Sequence, residues 1–154
     1  EAYQTINAVL TAYLEQGPQA FDVRGNLAQH YRKMAEWRSE RGDLGGAAQY
    51  LEQAVAQGER AVRDAPRSAD LRVELTWIYR NSIKLCALQG QSDKAKPLVA
   101  KLRTLVEQLS ADHPGVAEYR QLRQEIELDP LTGGNQQGES SPAAASDSKV
   151  EAQP

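Results

Sequence analysis

The stretch DAPRSADLRVEL, residues 64–75, reads as a seam between two helices. Pro66 lacks the backbone N–H that a continuing helix needs. Ser68 then stands as an N-cap ahead of Asp70, whose carboxylate meets the positive end of the helix that follows. Pro66 is the middle of three prolines, Pro18, Pro66 and Pro114, spaced 48 residues apart, and the chain around them is written in the same period. A shift of 48 places Asp22 on Asp70, Leu27 on Leu75, Tyr31 on Tyr79, Gly42 on Gly90, Ala47 on Ala95, Glu59 on Glu107 and Asp64 on Asp112. Arg24, Arg72 and Arg120 form a triple in the same frame. A self-similar period of this length marks stacked supersecondary units that bury a core only against their neighbours.

Outward from the seam, apolar residues recur at helical spacing. Residues 2–16 carry Ile6, Val9, Leu10, Tyr13 and Leu14, and Gly17-Pro18 ends that helix. A second helix is expected over about 20–41, a turn at Gly42 and Asp43, and a return helix over about 44–64. The next unit repeats the plan, with Leu71, Leu75, Ile78, Tyr79, Ile83 and Cys86 as its buried stripe and a turn at Gly90. Its return helix is expected over about 93–111, with Pro97 near the start, tolerable if the helix starts late or bends. A last helix over about 116–128 buries Val116, Tyr119, Leu122 and Ile126 and is otherwise polar, as an end cap should be. From Asp129 the composition turns to Gly, Ser, Gln, Ala and Pro, too poor in large apolar residues to offset the entropy of ordering, so a disordered tail is expected over 129–154.

Composition removes several classes of function. Net charge is −3 with a pI near 5.5, which gives no electrostatic case for nucleic acid. No apolar run reaches the length of a membrane-spanning helix. Cys86 is the sole cysteine, which excludes an internal disulfide and a CxxC metal site and agrees with a reducing compartment. The expected location is therefore cytoplasmic, or extracytoplasmic if a membrane anchor lies elsewhere in a longer parent. The chain opens on Glu1 with an uncapped first helix, which reads as a segment of a longer protein. That unmatched helix leaves an apolar stripe through which the chain could self-associate.

The inventory offers no catalytic reading, cofactor site or metal site. It has no GxxxxGK[ST] loop, no HExxH pair, no GxSxG elbow and no kinase VAIK, HRD or DFG element. His30 and His113 belong to different elements and read as boundary and loop residues. Cys86 reads as a small hydrophobe on its helix's apolar stripe. Glu52, Glu59 and Glu107 read as solvated helix-face charges, and Gly58, Glu59 and Arg60 as a polar outer face.

The small residues have fixed places: Ala35 before the turn at Gly42, then Ala47 and Ala54 after it. This pattern resembles the tetratricopeptide repeat, here lengthened from about 34 residues. More narrowly, DAPRSADLRVEL (64–75) and ADHPGVAEYRQL (111–122) resemble a 48-residue variant found in long bacterial multidomain proteins, often C-terminal to Ser/Thr protein kinase or similar signalling domains. The resemblance spans residues 1–128. It implies an all-α stack of antiparallel helix hairpins, an α-solenoid, divided as a partial repeat at 1–18, repeats at 19–66 and 67–114, and a capping helix at 115–128. Arg38 and Cys86 stand where the common repeat has an aromatic, and Ile83 replaces its usual small residue, which implies a wider second hairpin.

The resemblance also implies a use. The first helix of each unit would line a concave face carrying Gln29, Arg32, Lys33 and Glu36 in one repeat and Trp77, Arg80, Asn81 and Lys84 in the next. Four cations, an amide donor and an indole on one surface would suit an extended protein or peptide with acidic groups. The alternatives are a solvated charged face with Trp77 packed between helices, and a structural spacer or oligomerisation element with no groove.

Overall fold

The computed structural model describes residues 20–131, and every element among them is helical. Five helices follow in order: α1 Ala20–Glu40, α2 Leu44–Asp64, α3 Ala69–Leu88, α4 Ser92–Asp112 and α5 Ala117–Leu128. The helix expected over 2–16 lies outside the described residues, as does the expected tail except for 129–131. Those three form a turn in which the Leu131 N–H donates to Asp129 Oδ1 at 2.9 Å.

The two turns fall where the glycines stand. Gly42 has φ 78° and Gly90 φ 66°, left-handed conformations in which a Cβ is strained. Asp43 then caps α2, its Oδ1 accepting from the Gly46 N–H at 2.8 Å. Ser68 caps α3 through the Leu71 N–H at 3.4 Å. The return helix of the second unit does not start late: α4 begins at Ser92 and runs through Pro97. Asp93 and Pro97 are both exposed, so the carbonyl that loses its intrahelical donor lies at a solvent-facing turn.

Within each pair the helices run antiparallel, and one repeated ion pair fixes the register. Arg24, in the first turns of α1, reaches Asp64 at the end of α2 at 2.5 Å. Arg72, in the first turns of α3, reaches Asp112 at the end of α4 at 2.6 Å. Both members of the second pair stand 48 positions after those of the first. The α1–α2 pair is held by Ala35, Ala47 and Ala54, all buried, and the two helices stay close over more of their length than α3 and α4 do. Ile83 and Leu102 occupy the places equivalent to Ala35 and Ala54, and their greater volume keeps the second pair apart.

The pairs join through α3, which packs on both α1 and α2. Gly58 on α2 is buried at this junction, and a Cβ there would come within 3.0 Å of Leu75 Cδ1 and 3.3 Å of Ile78 Cδ1. Gly58 therefore belongs to the core and not to a polar outer face. The largest cluster gathers Leu75, Tyr79 and Ile83 of α3, Leu102, Leu105, Val106 and Leu109 of α4, and Leu122 and Ile126 of α5. In α5 the burial rests on Leu122 and Ile126, with Val116 and Tyr119 half-buried, and the rest of the helix is exposed.

Candidate functional site: the face shared by α1 and α3

Helices α1 and α3 run side by side in the same direction, since Gly25 abuts Leu71, Arg32 meets Glu74 and Glu36 meets Asn81. The eight residues expected on the concave face divide into two groups there. Arg32, Glu36 and Asn81 are joined to one another across the helix pair. The Arg32 guanidinium donates from Nε to Glu74 Oε1 at 2.6 Å and from Nη1 to Glu36 Oε1 at 2.7 Å. Asn81 Nδ2 donates to that same Glu36 oxygen at 2.7 Å. Burial disfavours the Arg32 charge, but the hydrogen bonds and charges of Glu74 and Glu36 outweigh it and hold the guanidinium more firmly protonated than usual. Arg32 thus clamps α1 to α3.

The second group faces outward. Gln29, Lys33 and Lys84 are exposed, and none of them has an ion-pair partner among the described residues. Trp77 is 42% exposed rather than packed between helices, and the Arg80 guanidinium carbon lies 4.9 Å from its ring centroid. Arg80 also approaches Glu125 of α5 at 3.7 Å. Beside these residues a cleft of about 320 Å³ lies between the end of α1, the start of α2 and the end of α3. Ala35, Ala47, Leu51 and Leu85 form its apolar floor; Glu40, Lys84 and the 59% exposed Leu88 stand at its rim. The cleft has room for an apolar side chain, and its mouth carries charge of either sign.

On the opposite side, α2 and α4 enclose a groove of about 470 Å³ floored by Ser82, Leu85 and Cys86. Burial pushes the Cys86 thiol up, against a smaller opposing effect of Lys94, which favours the protonated thiol over the thiolate near neutral pH. Glu59 bridges the walls of this groove. It accepts from the Tyr79 hydroxyl at 2.8 Å and from Lys101 Nζ at 2.7 Å, so it is a tied carboxylate rather than a solvated one. Burial alone would raise its pKa; the bonds from Lys101 and Tyr79 and the charges of Lys101 and Arg63 overcome this and hold it below the usual range. Burial and Glu59 push the Tyr79 hydroxyl far up, so it remains a donor.

Neither histidine lines the cleft or the groove. His113 is half-buried with its ring edge against Tyr119, centroids 5.6 Å apart, and His30 lies beside Tyr31. Among the described residues no group of three or more His, Cys, Asp or Glu could hold a metal ion, and no helix is long and apolar enough to cross a membrane. Sequence reasoning overlooked Trp37, which is 44% exposed with the Arg41 guanidinium stacked 3.9 Å from its ring centroid. Its signal was present as a break in the period, since the residue 48 positions later is the buried Leu85.

No family model matches the chain, and no curated protein and no solved structure matches it.

Proposed function

We propose that this chain is an interaction module: a stack of tetratricopeptide-like hairpins, ended by a polar capping helix, that holds an extended protein or peptide along the α1/α3 face. The observation that carries this reading is the apolar cleft between α1, α2 and α3, rimmed by Lys84 and Leu88, on the face where Trp77 stays exposed against Arg80. A peptide with an aliphatic anchor and neighbouring carboxylates fits it: the anchor enters the cleft, the carboxylates meet Lys84, Lys33 and Arg80, and the indole covers the chain between them. In this reading the chain is a non-catalytic scaffold or sensing arm of a larger bacterial signalling protein, such as one bearing a Ser/Thr protein kinase domain. That assignment rests on the sequence resemblance.

A spacer with no ligand is the second reading, favoured by one observation: Arg32, Glu36 and Asn81 spend their polar groups on each other and on Glu74. Fluorescence anisotropy of a labelled peptide alternating Leu and Glu separates the two. An interaction module binds it, loses affinity with added salt, and loses it again in the Trp77→Ala and Lys84→Glu variants. A spacer leaves the anisotropy flat.

A further inference from the structure

The groove between α2 and α4 lies away from the peptide face, and its walls carry a repeated arrangement of charge. The two helices keep their backbones apart, with α3 beneath them as the floor. Across the groove Lys101 of α4 meets Glu59 of α2 at 2.7 Å, a separation of 42 residues in the chain. Seven positions earlier on each wall stand Glu52 and Lys94, at the same separation, and both line the groove. The first couple is closed and the second is open. Neither Glu52 nor Lys94 has an ion-pair partner among the described residues. Asp93, next to Lys94 in sequence, is turned away to Lys96 at 2.8 Å. The Lys94 charge acts on the Cys86 thiol in the groove floor, so its ammonium stands over the groove.

The two couples bound a compartment. Seven residues of helix rise about 10.5 Å, which sets its length from Lys94 to Lys101. Between them Val55, Ala56, Leu85 and Leu98 supply apolar carbon, and the volume of about 470 Å³ is that of a small-molecule site. Glu59 and Lys101 also line the next stretch of groove, of about 510 Å³ over Leu75 and Tyr79, so their bridge is a bar between the two stretches. The Tyr79 hydroxyl fixes that bar from beneath, donating to Glu59 at 2.8 Å. The polar groups of the floor are already engaged: Ser82 donates to the Ile78 carbonyl and Gln89 to that of Leu44. A body lying in the compartment therefore meets apolar carbon along its length and a closed bar at one end. At the other end it meets one free carboxylate and one free ammonium on opposite walls.

We infer that this compartment binds a zwitterionic amphiphile, an α-amino acid with a long aliphatic side chain. Its carboxylate meets Lys94, its ammonium meets Glu52, and its chain runs over Val55, Leu85 and Leu98 to the bar of Glu59 and Lys101. A lone anion leaves Glu52 unpaired beside it, and a lone cation leaves Lys94 so. A head that carries both charges complements both walls, and the chain fills the apolar length. The site uses neither Trp77 nor Arg80, although Leu85 serves the floors of both the groove and the peptide cleft.

Cys86 is the sole cysteine and lies in the compartment floor, so its alkylation by iodoacetamide, followed by intact mass, reports occupancy. The probes are 2-aminodecanoate, decanoate and decylamine, matched in chain length and used without peptide. The expected result is that 2-aminodecanoate slows alkylation saturably, and that decanoate and decylamine each need several times the concentration. Lys94→Gln and Glu52→Gln should each weaken 2-aminodecanoate about fivefold, the weight of one water-accessible ion pair. Both positions are exposed and unpaired, so helix content by circular dichroism should stay that of the parent chain. Isothermal calorimetry should return the same ranking without the thiol. Alkylation and calorimetry that are blind to 2-aminodecanoate overturn the inference, as does equal binding of either singly charged probe. Protection that appears without any probe and grows with protein concentration also overturns it, since a second copy would then cover the groove. None of these results touches peptide binding at Trp77 and Lys84, which is measured separately.

Discussion

Arg72 and Asp112 join the start of α3 to the end of α4 at 2.6 Å, and the pair is unequal: the arginine side chain is 6% exposed, the aspartate 56%. The same contact one period earlier, Arg24 with Asp64, has an arginine 22% exposed. The same two residues thus carry different weight in the two hairpins. Asp112→Ala strands a buried guanidinium, whose Nε already lacks a partner, and should cost about 1–3 kcal/mol. Asp64→Ala should cost at most about 1 kcal/mol, as expected for a pair with access to water. Urea unfolding of the two variants side by side checks the ranking; equal losses would show that Arg72 finds another partner.

Gly42 and Gly90 have positive φ, and a Cβ at either would meet nothing within 4 Å, so strain is the only penalty of a side chain. Alanine at either position should cost roughly 1–2 kcal/mol, and asparagine less. Thermal unfolding distinguishes this from a turn that merely tolerates glycine, in which both substitutions would be neutral.

Ile78 is fully buried where α1, α2 and α3 meet. Ile78→Ala should cost about 2–5 kcal/mol, whereas Trp77→Ala, one position away on the exposed face, should change stability little while weakening peptide binding. Denaturation and anisotropy on both variants test whether stability and binding separate across adjacent residues.

Glu59 supplies a pH dependence with a definite sign. Its carboxyl is held below the ordinary glutamate value of 4.5 in the folded chain, so the stability that it contributes is complete above that value and is lost as pH falls through the lower folded pKa. The parent chain should therefore lose stability below pH 4.5 more steeply than Glu59→Gln. Matching acid limbs in the two unfolding curves would refute the tie to Lys101 and Tyr79.

Much of the fold was legible in the sequence because it depends on local chemistry. Both glycine turns, the Ser68 cap and the Pro66 break follow from backbone preferences that a residue carries wherever it stands. The period also set Arg24 against Arg72 and Asp64 against Asp112, although nothing in the spacing said that these residues would touch. What stayed hidden are contacts that cross from one unit to the next. Arg32 meets Glu74 and Glu36 meets Asn81 at separations of 42 and 45 residues, and neither follows the repeat. The expected groove cations therefore included one that serves as an inter-helix clamp. Glu59 looked solvated for the same reason, since its partners lie on α3 and α4. Exposure of Trp37 was legible only by comparison with Leu85, once burial was known.

A two-dimensional amide NMR titration with the Leu/Glu peptide reads residue by residue whether the α1/α3 face holds an extended acidic peptide. Saturable shifts are expected at Trp77, Asn81, Lys84 and Leu88, with the Trp77 indole N–H among the largest and the α2/α4 groove around Cys86 unmoved. Shifts that are absent at saturating peptide, or that gather in the Cys86 groove, would contradict it.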